Sequence, residues 1–399
     1  MKLPTSAERA ALLEATRNLK MARSAHAYVR GNTVKFYQWL AESPISARLP
    51  AGPPIWICGD CHLGNLGPVA NGAGEVEVLI RDLDQAVIGN PAHDLIRLGL
   101  SLATAARGSN LPGVTTARMM EQMVEGYEQA LADPGSDDAA PEPAAIKTVK
   151  RRALGRKWRH LARERIGDVE PEIPLGKKFW PLDPRERDAL GKMLADRALV
   201  AHILALEDEE EEVKVVDAAY WNKGCSSLGM LRFAVLLAVR GRKKHERHVL
   251  VDVKEAGPPA APSAPGAKMP SDPAERVVAG ARALSPHLGD RMAAAHVLGR
   301  PVFIRELAPQ DLKLEVEQFT RPEAEKAARY LANVVGKAHA RQMDDKARSR
   351  WQRALLARHS SAIEAPLWLW ESVVDLSGSH EMGYLEHCHR YALAHAHAD

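Results

Sequence analysis

The spacing of apolar residues predicts a largely helical chain that is interrupted by short strands. Helices are predicted over residues 6–46 (with a break at Gly31-Asn32), 92–108, 115–132, 184–206, 274–285 and most of the chain from 321 onward. Strands are predicted over residues 55–58, 75–80, 231–239, 248–253 and 301–307. This order predicts an α+β fold in which a small β-rich lobe, residues 213–318, lies between a helical lobe, residues 1–212, and a helical C-terminal part, residues 319–399, that packs with the first lobe.

The charge balance narrows the classes of partner. The chain has 54 Lys and Arg against 51 Asp and Glu, a formal net charge of +3, which argues against a nucleic-acid partner. The basic stretch 147–165 carries a single tryptophan and is typical of a solvated helix face. No apolar run approaches the ~20 residues that cross a bilayer, and the start lacks an apolar signal segment. We therefore expect a cytoplasmic protein with no membrane partner.

Candidate catalytic groups are concentrated in residues 58–94. Asp60 and Asn65 are five residues apart on one turn, and Asp82 follows the strand predicted over 75–80. A carboxylate and an amide oxygen with few other protein ligands suit Mg²⁺, which keeps several waters and shares phosphate oxygens with its substrate. Asp60, if free of the metal, would accept a proton from a hydroxyl nucleophile.

Simpler explanations exist for the same residues. Lone aspartates such as Asp60, Asp82 and Asp84 often bond nearby backbone amides at turns and caps. Arg30, just upstream, would bind phosphates or a substrate anion, or it would form a surface ion pair.

The spacing Cys58-x-x-Cys61-His62 is also the pattern of covalent haem attachment. Haem attachment requires export of the protein, for which no signal is visible, and no residue stands out as a second axial ligand. A zinc site that joins these cysteines to residues 387–389 lacks the usual ligand spacing. The plain interpretation is that Cys58 packs behind the loop as a small hydrophobic residue.

A second group of candidate residues lies in the β-rich lobe. Glycines in the loop 222–229 would let backbone amides approach a phosphate, although a simple hairpin turn is the commoner reason for two glycines. The candidate nucleotide-binding residues of this loop are Lys223, Gly224, Ser226, Ser227 and Gly229. Lys254, on a following strand, would pair with phosphates, and Glu275 would hold that lysine. Glu306 belongs to the strand 303–307 against which adenine would lie.

The segment Gly59-Asp60-Cys61-His62-Leu63-Gly64-Asn65 resembles the catalytic loop Gly-Asp-x-His-x-x-Asn of the aminoglycoside and choline kinase branch of the protein-kinase-like superfamily. A metal-binding Asp, a Gly-Pro turn and a second Asp follow in that branch. Here these are Asp82, Gly89-Asn90-Pro91 and Asp94. The resemblance implies that Asp94 braces the loop.

The same resemblance implies roles for the other residues. Asp60 would be the catalytic base, and Asn65 and Asp82 would bind Mg²⁺. Asp84 would share or replace the role of Asp82. His62 would support the catalytic loop.

Four further motifs occur in a fixed order along the chain. They are Tyr28-Val29-Arg30-Gly31, Val253-Lys254-Glu255-Ala256, Arg276-Val277-Val278 and Ala338-His339-Ala340-Arg341. Together with the catalytic-loop segment and Asp82-x-Asp84, they resemble the bacterial family of unknown function numbered 2252. The resemblance covers most of the chain and implies a fold more than a substrate.

The order of the kinase-like segments is unusual. In ordinary kinases the glycine-rich loop and the lysine precede the catalytic loop, whereas here residues 224–254 follow residues 59–82. The resemblance therefore implies a circularly permuted, two-lobed kinase-like fold with a large helical lobe. Such a rearrangement requires only that the old termini join and a surface loop opens.

These observations lead to an expected function. We expect an ATP- and Mg²⁺-dependent phosphotransferase that acts on a hydroxyl-bearing acceptor of unknown identity. A nucleotide-binding pseudokinase and a nucleotidyl (AMP) transferase remain alternatives. A further alternative is a metal-dependent hydrolase that uses His62, Asp82, Asp84, His93 and Asp94.

Overall fold

The computed structural model describes residues 3–135, 140–167, 170–206, 211–225, 227–241, 246–312, 314, 320–357 and 365–396, with only the backbone for 392–396. The helices are α1 (Arg9–Ala22), α2 (Ala25–Gly31), α3 (Thr33–Glu42), α4 (Ala92–Gly108), α5 (Gly113–Ala132), α6 (Ala144–Leu154), α7 (Trp158–Arg165), α8 (Pro184–Leu194), α9 (Arg197–Leu204), α10 (Pro273–Leu284), α11 (Pro286–Gly289), α12 (Arg321–Ala340), α13 (Asp345–Leu356) and α14 (Leu367–Ala396). The strands are β1 (Ile55–Ile57), β2 (Leu66–Ala70), β3 (Val76–Ile80), β4 (Val87–Gly89), β5 (Phe179–Trp180), β6 (Glu212–Trp221), β7 (Arg232–Arg240), β8 (Glu246–Glu255), β9 (Met292–Val297) and β10 (Arg300–Glu306). The predicted α+β class is confirmed.

The largest sheet is antiparallel and has the strand order β5-β6-β7-β8-β10-β9. Its central strands β7 and β8 are covered on both faces, so their side chains are buried almost continuously. Val235 belongs to a cluster with residues of α8 and α9, whereas its neighbour Leu236 belongs to one with Leu161 of α7. This alternation follows from the two-residue period of a strand.

The helical part is built around the close pair α5 and α12. Gly126 and Gly336 lie where the two helices meet. A Cβ atom at Gly126 would lie 2.0 Å from the carbonyl oxygen of Arg329, so only glycine permits this approach. The fully buried side chains of Tyr127 and Trp351 fill the adjacent core. None of the helices within the described residues is both long and apolar enough to cross a bilayer.

Two small sheets carry the candidate catalytic segments. Strand β1 pairs with β4, and β2 pairs with β3. The loop that contains Asp60 follows β1, and Asp82 lies two residues beyond the end of β3. Both acids therefore leave strands that are anchored in the core.

Candidate functional site

A cleft of about 480 Å³ opens between the six-stranded sheet and the amino-terminal helices. It is lined by α1, α2, the loop after β1, the segment after β3, α7, the loop between β6 and β7, and parts of β7 and β10. The cleft brings together these residues that the sequence singled out: Arg30, Asp60, His62, Asn65, Asp82, Lys223 and Gly224. The candidate catalytic loop and the candidate phosphate loop therefore face the same space.

The backbone of the candidate catalytic loop is held by Asp94 at the start of α4. The N–H groups of Cys58 and Gly59 donate to its two carboxylate oxygens over 2.7 Å and 2.9 Å. Gly59 has a φ of +73°, and a Cβ atom there would lie 2.2 Å from the carbonyl oxygen of Gln85. Glycine is required at this position because a side chain would clash and would disfavour the left-handed backbone.

Asp94 is itself the end of a buried hydrogen-bonded chain. The Nε2 atom of His339 lies 3.2 Å from Asp94 Oδ2, and its Nδ1 atom lies 2.9 Å from the hydroxyl oxygen of Tyr127. Trp351 Nε1 donates to that hydroxyl oxygen over 3.0 Å. A consistent arrangement has His339 donating to Asp94 and accepting from Tyr127. These hydrogen bonds fix the candidate catalytic loop to α5, α12 and α13.

The carboxylate of Asp60 is held by a buried arginine. Arg97, which is fully buried, donates from Nε to Asp60 Oδ1 over 2.9 Å and from Nη2 to the carbonyl oxygen of Val29 over 2.6 Å. The other oxygen, Oδ2, lies 4.0 Å from His62 Nε2. The Nδ2 atom of Asn65 donates to the Asp60 carbonyl over 2.9 Å. Burial raises the pKa of Asp60, and the neighbouring Arg97 opposes that rise.

His62 and Arg30 lie beside this carboxylate. Burial, aided by the charge of Arg30, lowers the pKa of His62 well below its usual value, so the imidazole is neutral. The guanidinium of Arg30 packs against the candidate catalytic loop at Gly64, where a Cβ atom would lie 2.9 Å from Arg30 Cζ. Gly64 thereby lets a positive charge lie against the loop.

Lys254 joins the sheet to the segment after β3. Its Nζ atom contacts Asp84 Oδ2 and lies 3.6 Å from Asp82 Oδ1. Burial raises the pKa of Asp82, but the Lys254 ammonium, a hydrogen bond with Asp84 and the charges of Arg305 and Arg232 together outweigh that effect and keep the pKa below its usual range. Burial and the charge of Asp82 raise the pKa of Asp84 to about 6. About half of the Asp82 side chain is exposed to the cleft, whereas Lys254 is buried behind it.

The expected pairing of Lys254 with Glu275 is corrected by this geometry. Glu275 is exposed in the first turn of α10, where its backbone N–H donates to the side chain of Asp272. The partners of Lys254 are instead Asp82 and Asp84, because the segment after β3 reaches the end of β8.

Glu306 belongs to a different cavity. It lines a second space of about 410 Å³ together with Arg247 and Arg291, and not the cleft that contains Asp60. Burial raises the pKa of its carboxyl group. The next two residues, Leu307 and Ala308, do line that cleft.

The loop between β6 and β7 contributes unevenly to the cleft. Lys223 and Gly224 line it, Ser227 and the exposed Gly229 do not, and Ser226 lies outside the described residues. Lys20 of α1 donates to the Gly224 carbonyl over 2.8 Å and so fixes the loop to the helical wall. The loop reaches the cleft through its first half alone.

The electrostatics of this loop are set by burial. The Lys223 ammonium lies 3.8 Å from the centre of the Trp221 ring. Burial, together with the charge of Arg232, lowers the pKa of Lys223 well below its usual value. Arg232 in turn forms a bidentate pair with the buried Asp252, with 2.9 Å between Nε and Oδ1.

The cleft is also lined by six basic residues that were not singled out from the sequence. They are Lys20, Arg23, Arg81, Arg165, Arg232 and Arg305. They come from separate helices and strands, so no local spacing grouped them. With Arg30 and Lys223, eight basic side chains line a cleft that has three acidic ones, and the cleft suits anions.

The alternative metal sites do not assemble. Within the described part of the chain, no group of three or more His, Cys, Asp or Glu side chains is arranged to hold a metal ion. Cys58 and Cys61 are buried, and a hydrogen bond between them raises the pKa of Cys58, as does burial. His387 instead contacts the carbonyl of Asn18 in α1. A site of one carboxylate and one amide, such as Asp82 with Asn65, is a different case because Mg²⁺ takes most of its ligands from water and phosphate.

No curated protein and no solved structure matches this chain. The sequence does match, over residues 9–390, the family described as an uncharacterized protein conserved in bacteria (DUF2252). Since the match covers nearly the whole chain, the protein belongs to that family.

Proposed function

We propose that this chain is an ATP- and Mg²⁺-dependent phosphotransferase that passes a phosphate to a hydroxyl group of an acceptor. The observation that supports this most is the meeting of Asp60 and Asp82 with a strongly basic wall in one cleft. Phosphoryl transfer needs a proton acceptor, a metal-binding carboxylate and cations around the phosphates. The described residues offer all three.

The donor set fits Mg²⁺. Because Asn65 uses its Nδ2 atom on the Asp60 carbonyl, its Oδ1 atom is left for a cation. Asp82 is ionised at neutral pH, since Lys254 lowers its pKa. The Oδ1 atom of Asp84 is buried and has no hydrogen-bond partner among the described residues. Mg²⁺, when bound by these residues, would neutralise charge on the transferring phosphate.

Asp60 would orient and deprotonate the acceptor hydroxyl. Arg97 fixes Oδ1, which leaves Oδ2 for the hydroxyl proton. The raised pKa of Asp60 makes it a stronger base than an exposed aspartate. On the other wall, Lys223, Arg232 and Arg305 would hold the phosphates of the nucleotide.

The permuted kinase-like arrangement is part of the proposal. The loop between β6 and β7, the lysine of β8, helix α10 and the β9–β10 hairpin follow each other in the order that the resemblance implies for a nucleotide lobe. Strand β10 pairs with β8 beside Lys254, through Phe303. This lobe lies across the cleft from Asp60, as transfer between the two would require.

The proposal is tested by the thermal stability of the purified chain with ATP or ADP, with and without Mg²⁺. A ligand at a hundred times its dissociation constant stabilises the folded state by about 2.7 kcal/mol. We expect a Mg²⁺-dependent rise that is lost in Asp82→Asn and kept in Asp290→Asn, the same change at an exposed carboxylate outside the cleft. The absence of any shift at millimolar nucleotide would contradict the proposal. Label from the γ-phosphate rather than the α-phosphate on the product would separate phosphate transfer from AMP transfer.

A further inference from the structure

We propose that the acceptor is an anion that carries its own phosphate group, and that Arg23 and Arg30 bind this phosphate beside Asp60. The inference rests on the proposed phosphotransferase function and names the acceptor class of the same cleft. The basic side chains of the cleft are divided between two walls. Lys223, Arg232 and Arg305 belong to the sheet side, whereas Arg23 and Arg30 belong to the helical side.

Most of the basic side chains in the cleft have acceptors within the protein. Arg232 pairs with Asp252, and Lys20 donates to the Gly224 carbonyl. Arg305 Nη1 donates to the Arg81 carbonyl over 3.0 Å. These cations are therefore partly neutralised before any ligand binds.

Arg23 and Arg30 differ from this group. Throughout the described ranges, neither guanidinium has a hydrogen-bond acceptor or an acidic partner, and the Nε atom of Arg30 is buried and unpaired. A buried donor without a partner is costly, and that cost is relieved when a ligand supplies the acceptor. Two planar guanidinium groups offer the paired donors that match the oxygens of a phosphate.

The position of Arg30 directs this phosphate to the acceptor rather than to the nucleotide. Its guanidinium packs against Gly64, within the loop that carries Asp60 and Asn65. A phosphate held there lies on the helical wall, next to the proposed base. An acceptor bound through such a phosphate would present a nearby hydroxyl to Asp60.

The same charges disfavour cationic acceptors. Aminoglycosides and choline carry positive charge, and in this cleft they would meet unpaired Arg23 and Arg30. The resemblance of the catalytic loop to kinases of those compounds therefore does not extend to the acceptor.

The direct test uses inorganic phosphate as the probe and the full chain as the protein. Phosphate binding is measured by calorimetry at constant ionic strength, with a non-hydrolysable ATP analogue and Mg²⁺ at saturation to fill the sheet side. We expect Arg30→Gln and Arg23→Gln each to raise the dissociation constant for phosphate about tenfold, since hydrogen bonds between charged groups are the strong ones. Arg17→Gln should stay within about twofold, because Arg17 is exposed on α1 and does not line the cleft.

The outcomes separate this proposal from the proposed function. If the nucleotide analogue does not bind, the phosphotransferase proposal fails. The dissociation constants of the variants for phosphate can still be compared by titration without nucleotide, so the anion site is tested independently. If wild-type protein binds no phosphate, or if Arg23→Gln and Arg30→Gln bind it as the wild type does, the anionic acceptor is wrong. Arg23 is exposed, so its variant remains informative even if Arg30→Gln does not fold. Transfer to ribose 5-phosphate over ribose would support the inference, and transfer to an aminoglycoside would overturn it.

Discussion

Arg97 donates from its Nε atom to Oδ1 of Asp60 over 2.9 Å, from a position with no solvent exposure. The arginine lies on α4, so the carboxylate is held from the core and not from the surface. The same guanidinium donates to the carbonyl of Val29 in α2, the helix that also carries Arg30. One buried side chain therefore positions both the proposed base and the helical wall of the cleft.

Removal of this arginine should destabilise the fold strongly. In Arg97→Met the Asp60 carboxylate would remain buried without its partner, and breaking a buried ion pair in this way costs about 3 kcal/mol or more. The unfolding free energy from urea denaturation measures the loss. Arg97→Met with Asp60→Asn should recover part of it, because the unpaired charge is then gone.

An exposed ion pair provides the control for that experiment. Arg48 pairs with Glu371 at 2.8 Å, and its side chain is 51% exposed. Arg48→Met should change the unfolding free energy by less than about 1 kcal/mol. Equal losses in Arg97→Met and Arg48→Met would show that Arg97 does not hold a buried charge.

Lys254 should stabilise the contact between the sheet and the segment after β3. Lys254→Met leaves Asp82 and Asp84 facing each other without a cation, which we expect to cost about 3 kcal/mol of unfolding free energy. Lys254→Met with Asp84→Asn should be more stable than Lys254→Met alone, since the repulsion between the two carboxylates is removed. The exposed pair Lys192–Asp188 is the control, and Lys192→Met should have a negligible effect. A double variant no more stable than the single one would argue against this electrostatic role.

The catalytic-loop motif predicted its own geometry well, because its residues are close in sequence. Asp60, His62 and Asn65 span one turn, so they line one space however the rest of the chain folds. Asp82 joins them because the β2–β3 hairpin returns the chain to the loop, with the Arg81 N–H donating to the Asn65 carbonyl over 2.7 Å. The pattern of a strand followed by an acid therefore singled out a residue that lines the same cleft.

Contacts between distant segments could not be predicted in the same way. Lys254 and Asp84 are 170 residues apart, so a nearer acid, Glu275, was the natural but incorrect partner. The basic stretch 147–165 was predicted to be a solvated face, yet Arg165 at its end lines the cleft. The positions of such residues depend on tertiary packing, which produces no periodic pattern in the sequence.

Five strands were also missed, namely β2, β4, β5, β6 and β9, and two of them show a physical reason. Strand β6 begins with exposed charged and aliphatic residues, and β9 contains the run Ala293-Ala294-Ala295. Alanine and exposed charges favour helices or loops by intrinsic preference. Pairing with β7 and with β10 overrides that preference, and the sheet is larger than the sequence predicted.

The crossing of α5 and α12 gives a prediction with a matched control. In Gly126→Ala the new Cβ atom would lie 2.0 Å from the Arg329 carbonyl, so the helices must separate and the protein should lose about 2 kcal/mol or more. Gly191 lies in the interior of α8 with nothing within 4 Å of a Cβ atom. Gly191→Ala should therefore raise the unfolding free energy by about 0.5–1 kcal/mol. Thermal denaturation distinguishes the two, and similar midpoints would contradict the close helix crossing.

The buried His380 should make the protein sensitive to acid. Its side chain is 2% exposed, its Nδ1 atom bonds the Leu376 carbonyl at 3.1 Å, and burial with the charge of Arg97 lowers its pKa from 6.5 to about 3. Between pH 6.5 and about pH 3, His380 binds a proton in the unfolded chain but not in the folded chain. The unfolding free energy should therefore fall as the pH falls from 6.5 towards 3, by up to about 1.4 kcal/mol per pH unit from this group.

Substitution of His380 isolates this contribution from those of other titrating groups. His380→Leu has no proton to bind in either state, so its unfolding free energy should fall less steeply between pH 6.5 and pH 4.5 than that of the wild type. Urea denaturation at half-unit intervals of pH gives the two slopes, and values at pH 8 correct for any loss of packing. The expected result is a difference in the slope of unfolding free energy against pH. A general destabilisation by the leucine lowers the curve but does not change that slope. Parallel curves would mean that His380 titrates normally in the folded protein.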